Sequence, residues 1–450
     1  MNRVIIHVDL NSFFATAEQQ ANPALRAKPV GIIKARGRGC IIAASVEAKK
    51  RGVGTGANVY DAKKLCPEII LIPADFDKYA DISFRFIDIC KSYSPVCEVF
   101  SLDECFIDVS QTERFWKDLP KDTGLDQTAM FDLWTIIKGT EGRGAVNIAF
   151  EIKKRLREEI GDYMTCSVGI SENKLLAKLA GNQIKPDGLF WITDENKLAV
   201  LDKSGLLDVC GLGFGLHHHL IRLGIDNFPK LRACSLTFLK DHFGPFWSFV
   251  LYNIARGIDN TAVTPYFEIP DAKSVGRTYT THKNLINKTE IKNLIRNLCE
   301  EAAAKARVMG LAGRYVGLAL REGDLRTKSS GWSARGSGGG FYGHLTLQHY
   351  IDDGRKFFDL CMQISRDWQI DNVRFAGVTL GMLAKKEYLT TPLFAVDRRR
   401  EKVVKTVDKV NNKYGNYTVF PAQLLGMPII MPEVNGFFGD RKYRLDFLKS

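Results

Sequence analysis

The feature that most constrains the fold is an apolar run near the start of the chain, Arg3 to Val8 (RVIIHV), that stops at Asp9. A short run of this kind, rich in β-branched residues, marks a strand buried on both faces. It commits the chain to a sheet with helices around it, and it carries an acidic side chain to the end of a central strand. From Asn11 to about Gln20 the spacing turns helical, with Asn11 or Ser12 suited to the N-cap.

A second acidic position has a similar setting. VFSLDECFIDVS is two short apolar stretches around an acidic turn, which predicts a β-hairpin with Asp103 and Glu104 at its tip. Between the two lie strand-like segments over 28–46 (KPVGII, a Gly/Arg turn, CIIAASV), a helix over 45–51, the break GVGTG, and helices near YDAKKLC and over 75–95. A helix over about 145–160, the strand MTCSVGIS and the helix NKLLAKLAG then complete strands and helices interleaved around one mixed sheet. The stretch 112–144 has the turn chemistry of a surface insertion. Beyond 182 the chain is helical and contains VCGLGFG; a second α/β unit follows with the loop TKSSGWSARGSGGG, then a charged helix and a weakly patterned tail.

At 450 residues the chain is too long for one compact core, so two to four domains are expected. Hydrophobic residues at 45% and charged residues at 25% suit a soluble globular protein. No apolar run is long enough to cross a bilayer, and Asp9 comes too early for a signal-peptide core, so a cytoplasmic location is expected. Lys and Arg number 63 against 51 Asp and Glu, a net charge of +12 that favours a polyanionic partner. Composition alone does not separate nucleic acid from an anionic membrane surface. The ten cysteines are scattered, with no C-x-x-C pair, and read as reduced. His217 to His219 fan out around a helix and cannot share one ion.

Phosphoryl and nucleotidyl transfer need divalent cations, and magnesium prefers hard oxygen ligands. One way to build such a site is an Asp at the end of a buried strand beside a hairpin that offers an acidic pair. Alone, each motif has an ordinary explanation as turn or cap. The neighbours shift the odds. Phe13 and Phe14 follow Asp9, where a ring can lie under the sugar of a nucleotide and exclude a 2′-hydroxyl; from pattern alone they are as well read as core. Lys49 and Lys174 sit on helices near strand ends, suited to triphosphate oxygens. In VCGLGFG, a Gly-x-Gly turn would expose backbone N–H groups to a DNA phosphate.

Together these segments resemble the Y-family of DNA polymerases, the translesion enzymes, over nearly the whole chain. The resemblance is most specific in HVDLNSFFATAE, EAKKRGVGTG with VYDAKKLCP, SLDECFIDVS, and SVGISENKLLAKLAGNQIKPDG. It implies a multidomain α/β (α+β) right hand. The palm would cover 1–10 and 75–181, small fingers 11–74, a helical thumb with a helix-hairpin-helix 182–262, a linker 263–272, a little finger 273–388 and a C-terminal tail 389–450. It implies a template-directed, error-prone polymerase without proofreading, acting on primer–template DNA and dNTPs with two Mg²⁺ ions, as a monomer open to accessory subunits.

Carried over residue by residue, the resemblance implies that Asp9 and Asp103 bind both metals, with the Leu10 carbonyl a further ligand. Glu104 would ligate the metal nearest the primer hydroxyl. Phe14 would be the steric gate with Phe13 beside it. Lys174 would hold the triphosphate, Ser45 and Lys49 would assist, and Cys40 and Ile42 would roof the nascent base pair. Gly211, Gly213, Gly215, Gly276 and Arg277 would face DNA. Leu393 and Phe394 would keep part of a sliding-clamp peptide. Asn11 stands where a second acid is frequent, Val46 where many members carry Tyr, and Lys49 where many carry Arg. YADIS, EAKKRGV and the tail resemble the UmuC-like branch more than the DinB (DNA polymerase IV) branch. The rivals are a catalytically silent clamp or DNA adaptor, which would typically lose the carboxylates, and a nucleotide cyclase, which would need neither fingers nor a basic C-terminal domain.

Overall fold

The computed structural model describes residues 3–34, 39–116, 143–268, 271–323, 340–366, 372–390, 394–425 and 430. The chain divides into two compact units, Met1–Ile269 and Pro270–Tyr443. Most of the insertion at 112–144, the Gly/Ser/Arg loop, Leu393 and most of the tail beyond 425 lie outside the described residues.

The strands of the first unit are β1 Ile5–Leu10, β2 Val30–Ile33, β3 Ile41–Ala44, β4 Ile70–Pro73, β5 Cys97–Val99, β6 Glu104–Asp108, β7 Cys166–Ser171 and β8 Leu189–Trp191. The main sheet has the order β5-β6-β1-β7-β8, with β1 central and antiparallel to both neighbours and β8 parallel to β7. The opening apolar run is therefore the middle strand, and Ile5, Ile6 and Val8 are fully buried. The 3-residue strand β8 interrupts the stretch beyond 182 expected to be helical, because Leu-Phe-Trp is too short to carry a period of its own.

Helices Phe76–Lys91, Arg143–Arg155 and Lys174–Gln183 accompany this sheet. The first is tied to the acidic hairpin by the buried Ser83 hydroxyl, which donates to the Leu102 carbonyl at 2.6 Å. The last starts at Asn173, whose side-chain oxygen accepts from the Leu176 N–H at 2.9 Å. It lies against β7 at close range: a Cβ on Gly169 would come within 2.1 Å of the Ala177 carbonyl oxygen.

Strands β3-β2-β4 form a separate three-stranded sheet with the short helices Val46–Lys50 and Val59–Leu65. After β8, helices Lys197–Lys203, Phe214–Arg222, Phe228–Ala233 and Leu236–Ile254 close around Leu201, Leu220, Phe228, Leu239 and Leu251.

The second unit is an antiparallel sheet of β9 Ser274–Leu285, β10 Leu311–Glu322, β11 Gly340–Ile351 and β12 Val373–Lys385, in the order β11-β10-β12-β9. Helices Lys288–Val308 and Gly354–Ile364 cover one face, burying Ile295, Leu298, Val316, Leu318, Phe357 and Val378. The charged helix, Ala395–Tyr414, docks through ion pairs: Asp408 accepts two hydrogen bonds from Arg307, at 2.6 and 2.7 Å, and Asp353 two from Arg400. The chain then returns so that Tyr417 and Ile430 both meet the buried amide of Asn297. Phe394 stands exposed at the N-cap of this helix.

Gly169→Ala should push the Lys174–Gln183 helix off the sheet at a cost of about 1–3 kcal/mol. Calorimetry should show a lowered melting transition for the first unit; an unchanged thermogram would mean that the helix has room.

Candidate active site

Strand register builds the acidic site. Asp9 on β1 lies directly opposite Glu104 on β6 and opposite Ser167 on β7. The hairpin is tight: the Phe100 and Ser101 N–H groups both donate to the Glu104 carbonyl. The Leu10 N–H donates to the Asp103 carbonyl at 2.8 Å, locking the hairpin tip to the end of β1.

Each carboxylate has its own environment. Glu104 Oε2 takes a hydrogen bond from His7 Nε2 at 3.0 Å and another from Lys178. Burial pushes this carboxyl up, but the bonds from His7 and Lys178 outweigh it and hold it at about 2. Asp9 Oδ2 meets the Lys185 ammonium at 3.0 Å. The Asp103 carboxylate accepts from the Ser101 hydroxyl at 2.5 Å. Burial raises the Asp103 carboxyl, with repulsion from Asp9 and Glu104 adding to the rise. The Leu10–Asp103 backbone bond keeps Asp103 beside the paired Asp9 and Glu104. One ligand atom each from His7, Asp9 and Glu104 lies within 4.8 Å of the others. Two carboxylates and an imidazole around one point, with Asp103 adjoining Glu104, offer donors that a divalent cation takes.

Sequence reasoning missed His7, Lys178 and Lys185. His7 shares the face of Asp9 by the two-residue period of a strand, a signal that was available. Burial lowers the His7 imidazole below its ordinary value, favouring the neutral ring. Lys178 is one helical turn beyond Lys174. Lys185 precedes a proline in a loop that the core holds firmly. The Asp187 N–H donates to the Asn11 side-chain oxygen at 2.8 Å, and the Asp187 carboxylate accepts from the buried Lys153 at 2.6 Å and from Arg157. Lys153 also donates to the Cys166 carbonyl. Asn11, read as a departure from an acidic position, thus ties β1 to this loop, and its amide nitrogen donates to Ser167.

On the other side, Phe13 and Phe14 are both buried at the start of the Phe13–Ala21 helix. Phe14 stacks on Tyr79 with ring centroids 4.3 Å apart and planes 12° from parallel, and meets Phe76 edge-on. Tyr79 is fixed in turn by donating to Glu18 at 2.8 Å, so the Phe14 ring is braced from behind. Lys49 donates to the Ser12 hydroxyl at 2.9 Å; burial and the nearby Lys185 lower its ammonium, while Asp9 and Asp103 act in the opposite sense. Lys49 thus joins Lys178 and Lys185 in bringing positive charge to the acids. Ile41 is buried in the three-stranded sheet, whereas its neighbours Cys40 and Ile42 are exposed and half-buried.

Profiles of known families match the chain in two places: that of the impB/mucB/samB family over residues 8–182, and that of the impB/mucB/samB family C-terminal domain over residues 272–392. The DNA polymerase IV of Pelotomaculum thermopropionicum is 30% identical over 438 residues, which is 96% of this chain and 98% of that protein. The chain belongs to this family. It is a DinB-like Y-family polymerase, a DNA-directed DNA polymerase. The DNA polymerase IV of Alkalilimnicola ehrlichii is 34% identical over 334 residues, covering 74% of this chain and 85% of its own. Among solved structures, a Y-family DNA polymerase chimera shares the fold with a TM-score of 0.66 at 22% identity, over 84% of this chain and 98% of its own. The relatives matching along the chain favour the DNA polymerase IV side over the UmuC-like side to which short segments pointed.

Three residues expected to touch nucleotide or DNA have protein partners in this structure. Lys174 does not reach the acids: its ammonium pairs with buried Glu98 at 2.7 Å, and Glu98 also accepts from the Thr264 N–H. The Ser45 hydroxyl is buried and caps the Val46–Lys50 helix, accepting from the Val30 and Ala48 N–H groups and donating to the Lys28 carbonyl. Arg277 points to the helix-covered face of its sheet, where it donates to Glu301 at 2.6 Å. In each case a buried partner claims the side chain, and sequence spacing does not register such a partner. Gly276 is required by packing, since a Cβ there would lie 2.8 Å from the Val378 carbonyl oxygen. Gly211 adopts a positive φ of 97°, Gly213 is the N-cap of the Phe214–Arg222 helix, and Gly215 lies inside it with open space around its Cα. No helix among the described residues is long and apolar enough to cross a membrane.

Proposed function

We propose that this polymerase extends primers across damaged template bases, using a cation site made by Asp9, Asp103 and Glu104. The primer 3′-hydroxyl attacks the α-phosphate of a dNTP in line, and pyrophosphate leaves. The observation that carries this reading is the direct pairing of Asp9 with Glu104 on adjacent strands, with Asp103 locked beside them and Lys185 and Lys178 paired to the two acids. The Leu10 carbonyl is the further oxygen offered to the site. Two bound Mg²⁺ ions would supply the positive charge that activates a hydroxyl and balances the phosphates.

The chain's own residues supply the rest. Lys185 and Lys49 would hold the triphosphate, in place of the Lys174 expected from the sequence. Phe14, braced by Tyr79, would exclude a 2′-hydroxyl. Cys40 and Ile42 would face the nascent base pair from a sheet of 4-residue strands. So small a surface checks pairing loosely, which suits a damaged template. The Gly211–Gly213 turn supports phosphate contacts that position DNA without reading its bases. A silent adaptor has no need for three retained acids.

Primer extension with Mg²⁺ and dNTPs tests the assignment. Asp103→Ala combined with Glu104→Ala should abolish extension. Lys185→Ala should raise the dNTP KM about tenfold, the loss of ~1.4 kcal/mol expected for a charge-assisted contact, while Lys174→Ala leaves it near wild type. Activity that survives the double substitution would refute the cation site, and a selective defect in Lys174→Ala would restore that residue. Phe14→Ala should increase ribonucleotide incorporation by about tenfold or more, a change of ~1.4 kcal/mol in selectivity; unchanged selectivity would remove Phe14 from the gate. The exposed Phe394 supports contact with a sliding clamp, and a peptide of residues 386–398 should give a binding isotherm with the clamp. A flat trace would remove that partner.

A further inference from the structure

The β1–β6 register sets four side chains in a square: Asp9 opposite Glu104, and His7 opposite Phe106. His7 is walled in. It is 1% exposed, its ring lies 4.7 Å from that of Phe106, and a Cβ on Gly181 of the overlying helix would come within 3.1 Å of its Nδ1. Only a glycine at 181 leaves the ring its full space. Nδ1 has no hydrogen-bond partner, whereas Nε2 lies 3.0 Å from Glu104 Oε2. A neutral ring has one N–H, and the nitrogen with an acceptor is the one that carries it. Lys178 donates to the same oxygen. Among the described residues no donor reaches Glu104 Oε1.

We propose that His7 is a positioning residue that engages Glu104 Oε2 and so turns Oε1 toward the cation that serves the primer hydroxyl. The proposal rests on the reading of Glu104 as a metal ligand. Lys178 is partly exposed and free to swing away, but the buried imidazole has nowhere to go, so His7 sets the carboxylate's orientation. Hydrogen-bond partners of metal ligands act in this way, and their loss typically costs about 10–100-fold in metal affinity or activity.

The test uses the full chain with primer–template and a non-hydrolysable dNTP analogue, with Mn²⁺ binding followed by electron paramagnetic resonance. Steady-state extension runs in parallel. His7→Phe keeps the ring packing and removes the donor; His7→Gln restores an N–H near the position of Nε2. His7→Phe should weaken Mn²⁺ binding and lower kcat, each about 10–100-fold, with the dNTP KM unchanged, and His7→Gln should recover most of both. Should His7→Phe fail to fold, His7→Asn takes its place, because its shorter amide cannot reach Oε2. Wild-type Mn²⁺ binding and kcat in the donor-less variant would overturn the proposal, as would a His7→Gln protein that melts normally yet is equally impaired. Glu104→Gln separates the two readings. If it retains Mn²⁺ binding, the ligand assignment itself fails; if it loses binding while His7→Phe does not, only the role of His7 fails.

Discussion

Asp9 and Glu104 face each other on directly paired strands, and like charges so placed destabilise a sheet. The first unit is arranged around holding them there. Burying β1 on both faces fixes the register, since a slip of one residue would turn Asp9 to the opposite face. The charge is then met locally: Lys185 sits on Asp9, Lys178 and His7 on Glu104, and Asp103 settles on a serine hydroxyl. Such a site is costly to fold and useful once folded, because its carboxylates are already aimed.

The supports are themselves buried polar groups, which is unusual enough to need explanation. Lys153 reaches through the interior to Asp187 and the Cys166 carbonyl, and Asn11 joins the end of β1 to the same loop. Both fasten the loop that carries Lys185. Tyr79 does for Phe14 what Lys153 does for Lys185: it gives a side chain at the site a fixed back wall.

The sequence made the frame legible because the frame follows local rules. An apolar run ending in Asp9, an acidic turn between apolar stretches, and the helical run NKLLAKLAG each carry their own pattern. The identities of the lysines did not follow, because Lys174, Lys178 and Lys185 look alike in one dimension. What separates them is a buried glutamate from another strand, Glu98, which claims the first. The partners of Ser45 and Arg277, the Val30 backbone and Glu301, are hidden in one dimension for the same reason: they are distant in the chain. His7 was legible by strand period alone, yet a histidine in an apolar run draws less attention than the acid two residues on.

The end of the second unit bears on how the chain could be shortened. The Ala395–Tyr414 helix and the segment returning to Asn297 lie past the last strand of the sheet, and nothing in their sequence suggests a core. Yet Arg307, Asp353 and Asn297 take their partners from this segment, and Leu424 within it is buried. A chain cut after β12 would keep every strand and still lose the outer layer that neutralises its helices. The natural boundary of this domain lies where the last of these polar contacts is satisfied, some way past the end of the regular sheet.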